Sequence, residues 1–102
     1  MDQFGLTTET VEKIVKILAQ NPQIHSAVIY GSRAKGTYKT GSDIDLCIMA
    51  PAMDLSAKFK LETDLDDLLL PYKIDLSLFH KIDNADLKDH IIRVGKSIYN
   101  KQ

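Results

Sequence analysis

The hydrophobic positions along the chain change period several times, and each change marks an element. Val11, Ile14, Val15 and Leu18 fall at i, i+3, i+4 and i+7, one face of a helix. Thr7 or Thr8 is placed to cap it, and Asn21-Pro22 to stop it. From His25 to Tyr30 the pattern turns mostly apolar and rich in β-formers, which predicts an interior strand. It runs straight into Gly31-Ser32. A short helical turn over Ser32–Lys35 and a polar loop from Gly36 to Gly41 follow. Asp43 to Met49 then alternates strictly. Ile44, Leu46 and Ile48 take one side of a strand, while Asp43, Asp45 and Cys47 take the other.

Asp54 opens a second long helix predicted from Leu55 to about Leu69, with Ala57, Leu61, Leu65 and Leu68 inward and Pro71 beyond its end. Lys73 to Phe79 repeats the alternation of the preceding strand, with Ile74, Leu76 and Leu78 opposite Asp75 and Ser77. Asp83 or Asn84 caps a last helix with Leu87, Ile91 and Val94 inward and Gly95 as its C-terminal glycine. Ser97-Ile98-Tyr99 reads as a short edge strand. The span from Tyr30 to Asp43 is too short for the crossover helix of a regular parallel unit. The expected class is therefore α+β, a small mixed β-sheet with helices packed on it, in one domain over residues 1–102.

Composition narrows the picture. A chain of 102 residues buries about 65% of its unfolded surface, enough for one core with little length left for a second lobe. The formal charge of −1 supplies no broad field for long nucleic acid. The single cysteine, Cys47, has no internal partner, which predicts a cytoplasmic setting. No apolar run is long enough to span a membrane, and Met1-Asp2-Gln3-Phe4 does not open as an export signal.

The alternation carries the chemistry. Asp43 and Asp45, at i and i+2, project from one face, and Asp75 sits on another strand with the same acid-out pattern. At about 5 Å and an effective dielectric near 20, each such pair would repel by roughly 3 kcal/mol. Something positive belongs among them. A few carboxylates completed by phosphate oxygens are the usual setting of Mg²⁺. Gly31-Ser32 supplies the other half. Glycine lets backbone approach a phosphate, and amides opening a short helix hold anionic oxygens. Two metal ions there would activate an attacking hydroxyl and steady a leaving pyrophosphate, with Asp75 the best-placed general base. Ser42 is either a ligand contact or the residue orienting the loop ahead of Asp43. Arg33, Lys35 and Lys39 could reach triphosphate oxygens, Arg33 first among them, or simply carry surface charge. His25, His80 and His90 show no ligand spacing and read as surface or structural residues.

Gly31-Ser32, ten residues, then Asp43-Ile44-Asp45 resembles the signature of the DNA polymerase β-type nucleotidyltransferase superfamily. With Ala34, Gly36, Ser42 and Leu46 also in place, the run is similar to its smallest branch, the MNT-type minimal nucleotidyltransferases encoded beside HEPN-domain partners. Lys73-Ile74-Asp75-Leu76 fits that branch's third-carboxylate strand, and Ile91-Ile92-Arg93-Val94-Gly95-Lys96-Ser97-Ile98-Tyr99 its ending. The resemblance implies transfer of a nucleoside monophosphate, AMP from ATP, to a hydroxyl. In the toxin–antitoxin members the acceptor is a tyrosine of the HEPN toxin. It further implies Asp43, Asp45 and Asp75 as Mg²⁺ ligands and Gly31 and Ser32 as phosphate binders. Three rivals remain on sequence grounds: an antitoxin that neutralises by contact alone, a nucleotidyltransferase for a small-molecule alcohol, and a DxD glycosyltransferase. The last leaves Gly31-Ser32 unexplained.

Overall fold

Each long helix begins where a side chain can accept from its first turn. In the computed structural model, which describes residues 3–39 and 41–101, Thr7 accepts from the Thr10 amide at 3.1 Å and opens α1 (Thr8–Ala19). Asp54 accepts from the Ala57 amide at 2.8 Å ahead of α3 (Leu55–Asp66). Asn84 accepts from the Leu87 amide at 3.0 Å ahead of α4 (Ala85–Val94). Between them lie β1 (Ser26–Tyr30), the one-turn helix α2 (Ser32–Lys35), β2 (Ile44–Met49), β3 (Ile74–Leu78) with a 3-10 turn over Phe79–Lys81, and β4 (Lys96–Asn100).

The strands form one sheet in the order β3-β2-β1-β4. β1 runs antiparallel to both β2 and β4, and β2 runs parallel to β3. The mixed sheet is thus the expected one, and the short β1–β2 connection makes an antiparallel pair as its length requires. β2–β3 is joined through α3, the crossover that a parallel pair needs.

Alternation sorts the two faces. Ile29, Ile44, Leu46 and Ile48 are fully buried beneath Ile14 and Leu18 of α1 and Leu61 and Leu65 of α3. A second, smaller cluster lies on the opposite face, where Ile91 of α4 covers Cys47 and Tyr30. The face of β2 that carries the acids is therefore roofed at its far end and open at its beginning. No helix among the described residues is long and apolar enough to cross a membrane.

Two boundaries differ from the pattern-based expectation. The helix α3 stops at Asp66, and Leu69, predicted inside it, adopts a left-handed φ of 54° with its side chain 88% exposed. Gly95 is not a left-handed cap. Its φ is −58°, and its amide donates to Ile91 O at 2.8 Å as the chain passes directly into β4. Glycine is required there for space, because a Cβ would run into the Ile91 carbonyl and the Val28 side chain.

Candidate active site

The turn after β1 sets the site. Gly31 takes φ 72°, ψ −149°, a conformation essentially confined to glycine. That turn starts α2, whose Lys35 amide donates to Gly31 O at 3.1 Å, and Gly36 closes the turn in the left-handed region at φ 81°. A Cβ on Gly31 would collide with Asp45 Oδ2. The Gly31-Ser32 backbone thus lies directly against the Asp45 carboxylate, a close approach that only glycine allows.

Register brings the acids together. Asp45 pairs with Tyr30 across β1 and with Asp75 across β3. Asp43 immediately precedes β2 on the same face, because Ile44 between the two acids is fully buried in the core. Partial burial raises the Asp45 carboxyl above its ordinary range, and the negative charges of Asp75 and Asp43 push it further. His90 offsets part of that rise. Beneath the acids, the Tyr30 hydroxyl sits 3.4 Å from Ser77 Oγ, and burial raises its pKa. Neighbouring Asp45 and Asp75 also favour the neutral phenol. His90 meets the Tyr30 ring edge-on, with centroids 6.3 Å apart and planes at 80°.

Among the described residues, no three His, Cys, Asp or Glu side chains stand close enough to hold a metal ion unaided. The donor set still suits Mg²⁺, which binds one or two carboxylates and takes the rest of its shell from water and substrate phosphates. A glycine-lined turn against one of those carboxylates is where such phosphates fit.

The remaining sequence candidates separate. Ser32 opens α2 beside Gly31, half-buried at the site. Ser42 shapes the loop: its Oγ accepts from the Lys39 amide at 2.8 Å, and its carbonyl accepts from Arg33 Nη2 at 2.7 Å and Nε at 3.2 Å. Arg33 does not join the site. Its side chain is only 2% exposed, its Nη1 donates to Phe4 O at 2.8 Å, and its guanidinium lies over the rings of Tyr38 and Tyr72. Those donors are spent on loop carbonyls, so the phosphate contact expected of Arg33 is replaced by a structural one. Lys35, at the end of α2, and Lys39, in the loop beyond it, are both exposed. Cys47 is fully buried, its thiol pushed up to about 11 by burial, and belongs to the packing rather than the site. His25 is exposed and His80 Nε2 bonds Met53 O at 3.0 Å, as surface and structural residues do. His90, Tyr30 and Ser77 were not singled out by spacing. Ser77 shares the Asp75 face by alternation and Tyr30 immediately precedes the glycine, so both carried a weak signal. His90 carried none beyond its place beside Ile91.

Comparison with known proteins agrees with this geometry. The family model described as "Polymerase beta, Nucleotidyltransferase" matches residues 12–102. A curated relative, "Probable protein adenylyltransferase MntA" of Haemophilus influenzae, is 29% identical over 101 residues, spanning 98% of this chain and 88% of the relative. Among solved structures, a toxin–antitoxin crystal structure with AMP-PNP superposes with a TM-score of 0.74 at 28% identity, covering 90% of this chain and 74% of that one. A tri-AMPylated HEPN toxin of Shewanella oneidensis in complex with its MNT antitoxin gives a TM-score of 0.69 at 23% identity over 92% of this chain and 72% of that one, a likeness of fold. With the Gly-Ser turn, the paired aspartates and the third strand all in place, the chain belongs to the polymerase β nucleotidyltransferase family.

Proposed function

We propose that this chain is a Mg²⁺-dependent adenylyltransferase that moves AMP from ATP onto a hydroxyl of a HEPN-type protein partner, and so acts as that partner's antitoxin. The observation that carries the reading is the seating of the Gly31-Ser32 turn on Asp45, with Asp75 in register beside it. The adenylyltransferase relative and the toxin–antitoxin structure with AMP-PNP support the nucleotide and the partner. The cytoplasm suits a chain whose one cysteine is unpaired and buried.

In this reading the backbone amides at Gly31-Ser32 and the Ser32 hydroxyl hold triphosphate oxygens at the start of α2. Ser42 fixes the loop that presents Asp43. Asp43 and Asp45 would hold Mg²⁺, its shell completed by water and phosphate oxygens, with Asp75 in register beside them on β3. Mg²⁺ held there would supply positive charge against the phosphates and lower the pKa of a coordinated hydroxyl. Asp75, exposed at the sheet edge, accepts the proton of the acceptor hydroxyl as its oxygen attacks the α-phosphorus. The new O–P bond forms while the bond to the β-phosphate oxygen breaks, and pyrophosphate leaves with that electron pair. The positive charge available at His90 favours the ionised form of Asp45.

Incubation with α-labelled ATP, Mg²⁺ and a HEPN-type partner tests the proposal. The partner should gain label, and Asp45→Asn or a chelator should abolish it while the fold survives. Equal labelling by the Asp43→Asn/Asp45→Asn protein would refute the mechanism. Toxin neutralisation by that unlabelling variant would move the function to contact alone.

A further inference from the structure

The order of the strands gives the site two sides. In phosphoryl transfer the attacking and leaving oxygens stand in line, on opposite sides of the phosphorus. Asp75, Asp45 and Tyr30 stand side by side in register across β3, β2 and β1. With the acceptor hydroxyl at Asp75, the α-phosphorus lies over β2. The leaving group then lies over the end of β1, where Gly31-Ser32 turns into α2. Negative charge gathers on that departing pyrophosphate. Arg33, the nearest basic residue in sequence, is spent on the Phe4 and Ser42 carbonyls. Among the described residues no ion pair holds Lys35 or Lys39 against the acids.

The helix α4 brings another donor to the β1 side. Tyr30 lies across the acid-bearing face, its hydroxyl reaching past β2 to within 3.4 Å of Ser77 Oγ on β3. Ile91 packs on this tyrosine and on Cys47, and the residue before it, His90, meets the tyrosine ring edge-on. His90 is half-buried. Its ring nitrogens bond to no described residue, and no buried side-chain nitrogen among those residues lacks a partner, so they open to solvent. Among the described residues, His90 is also the one basic side chain whose charge reaches the Asp45 carboxyl. Asp45 in turn lies against Gly31. An unused donor therefore stands against Tyr30, the residue before the phosphate turn, on the side where the leaving group belongs.

We infer that the His90 imidazole donates a hydrogen bond to the pyrophosphate half of the nucleotide, facing the Gly31-Ser32 amides across it. The inference deepens the adenylyltransferase reading and rests on it. An imidazole keeps at least one N–H whether neutral or charged, so the contact needs no change of protonation. A donor aimed at an oxygen that gains charge as the bond to phosphorus breaks stabilises the transition state more than the bound substrate. Tyr30 fixes where the ring stands, and the N–H does the binding.

Two variants separate ring from donor. His90→Phe keeps an aromatic edge against Tyr30 and removes the N–H, whereas His90→Gln removes the ring and keeps a donor. Calorimetric titration with AMP-PNP and with AMP, each with Mg²⁺, reads the pyrophosphate half by difference. His90→Phe should bind AMP-PNP about tenfold more weakly or worse, and AMP within about twofold of wild type, with its thermal midpoint little changed. His90→Gln should recover most of the AMP-PNP affinity. In label transfer, His90→Phe should lose more in kcat than it gains in KM. Equal binding of AMP-PNP by His90→Phe and wild type would overturn the inference. So would an equal loss for AMP, or a His90→Gln protein no better than His90→Phe. Labelling of a HEPN-type partner by His90→Phe with unchanged kcat and KM would overturn the contact while leaving AMP transfer standing. Conversely, AMP-PNP affinity that depends on His90 in a protein that labels no acceptor would uphold the contact and remove the transfer reading.

Discussion

Replacing Gly31 with alanine perturbs two things that the fold ties together. The backbone at φ 72°, ψ −149° lies where an L-residue costs of order 1–3 kcal/mol. The new Cβ also lands on Asp45 Oδ2, so the carboxylate must leave its rotamer, at a further cost of about 1 kcal/mol. A total near 3 kcal/mol is a sizeable part of the roughly 5–15 kcal/mol expected of a domain this size, yet leaves it folded at 25 °C. The thermal midpoint should fall by about 12 °C or more. Urea unfolding of wild type, Gly31→Ala, Asp45→Ala and the double variant separates the two parts. In the Asp45→Ala background the collision is gone, so Gly31→Ala should cost about 1 kcal/mol less than in wild type. Transferase activity should collapse in Gly31→Ala at temperatures where the protein is fully folded. Equal costs in both backgrounds would refute the contact between turn and carboxylate. A cost below about 1 kcal/mol in wild type would refute the backbone argument.

Arg33→Lys should destabilise by about 2–3 kcal/mol, since an ammonium cannot reproduce the fork that holds the Phe4 and Ser42 carbonyls; unchanged stability with lost activity would return Arg33 to a phosphate role. Leu69→Gly should stabilise by about 1 kcal/mol, because a left-handed leucine side chain that buries almost nothing is exchanged for a residue at ease there; a lower midpoint would refute this. Burial and its acidic neighbours raise the Asp45 pKa in the folded state, so the stability tied to its protonated form is full below the ordinary Asp value of 3.8 and is lost as pH rises through the raised value. Asp45→Asn should therefore match wild type in stability under acid and exceed it toward neutral pH, as urea titrations across that range would show, and Mg²⁺ should narrow the gap by stabilising wild type alone.

The sheet and its chemistry were largely legible because one rule, alternation, governs both. Burial of Ile44, Leu46 and Ile48 forces Asp43 and Asp45 to the other face, and the same pattern in β3 sets Asp75 beside them. Helix starts were legible for a similarly local reason, as Thr7, Asp54 and Asn84 satisfy amides three residues on. What the pattern missed is set by distant contacts. The buried state of Arg33 depends on Phe4, Tyr38, Ser42 and Tyr72 closing around it, and arginine is ordinarily a surface residue. The meeting of His90 with Tyr30 depends on how α4 crosses the sheet, which spacing within α4 does not encode. Gly95 was read as a cap from its position, although its reason is the lack of space for a Cβ against the Ile91 carbonyl and, behind it, Val28 on another strand.

The measurement that bears most directly on the account is transfer of label from α-labelled ATP to a HEPN-type partner by wild type and by Asp45→Asn, with both proteins shown to be folded by their unfolding curves. The account predicts Mg²⁺-dependent labelling by wild type and none above background by Asp45→Asn, whose fold is at least as stable. Undiminished labelling by the folded Asp45→Asn protein would contradict it.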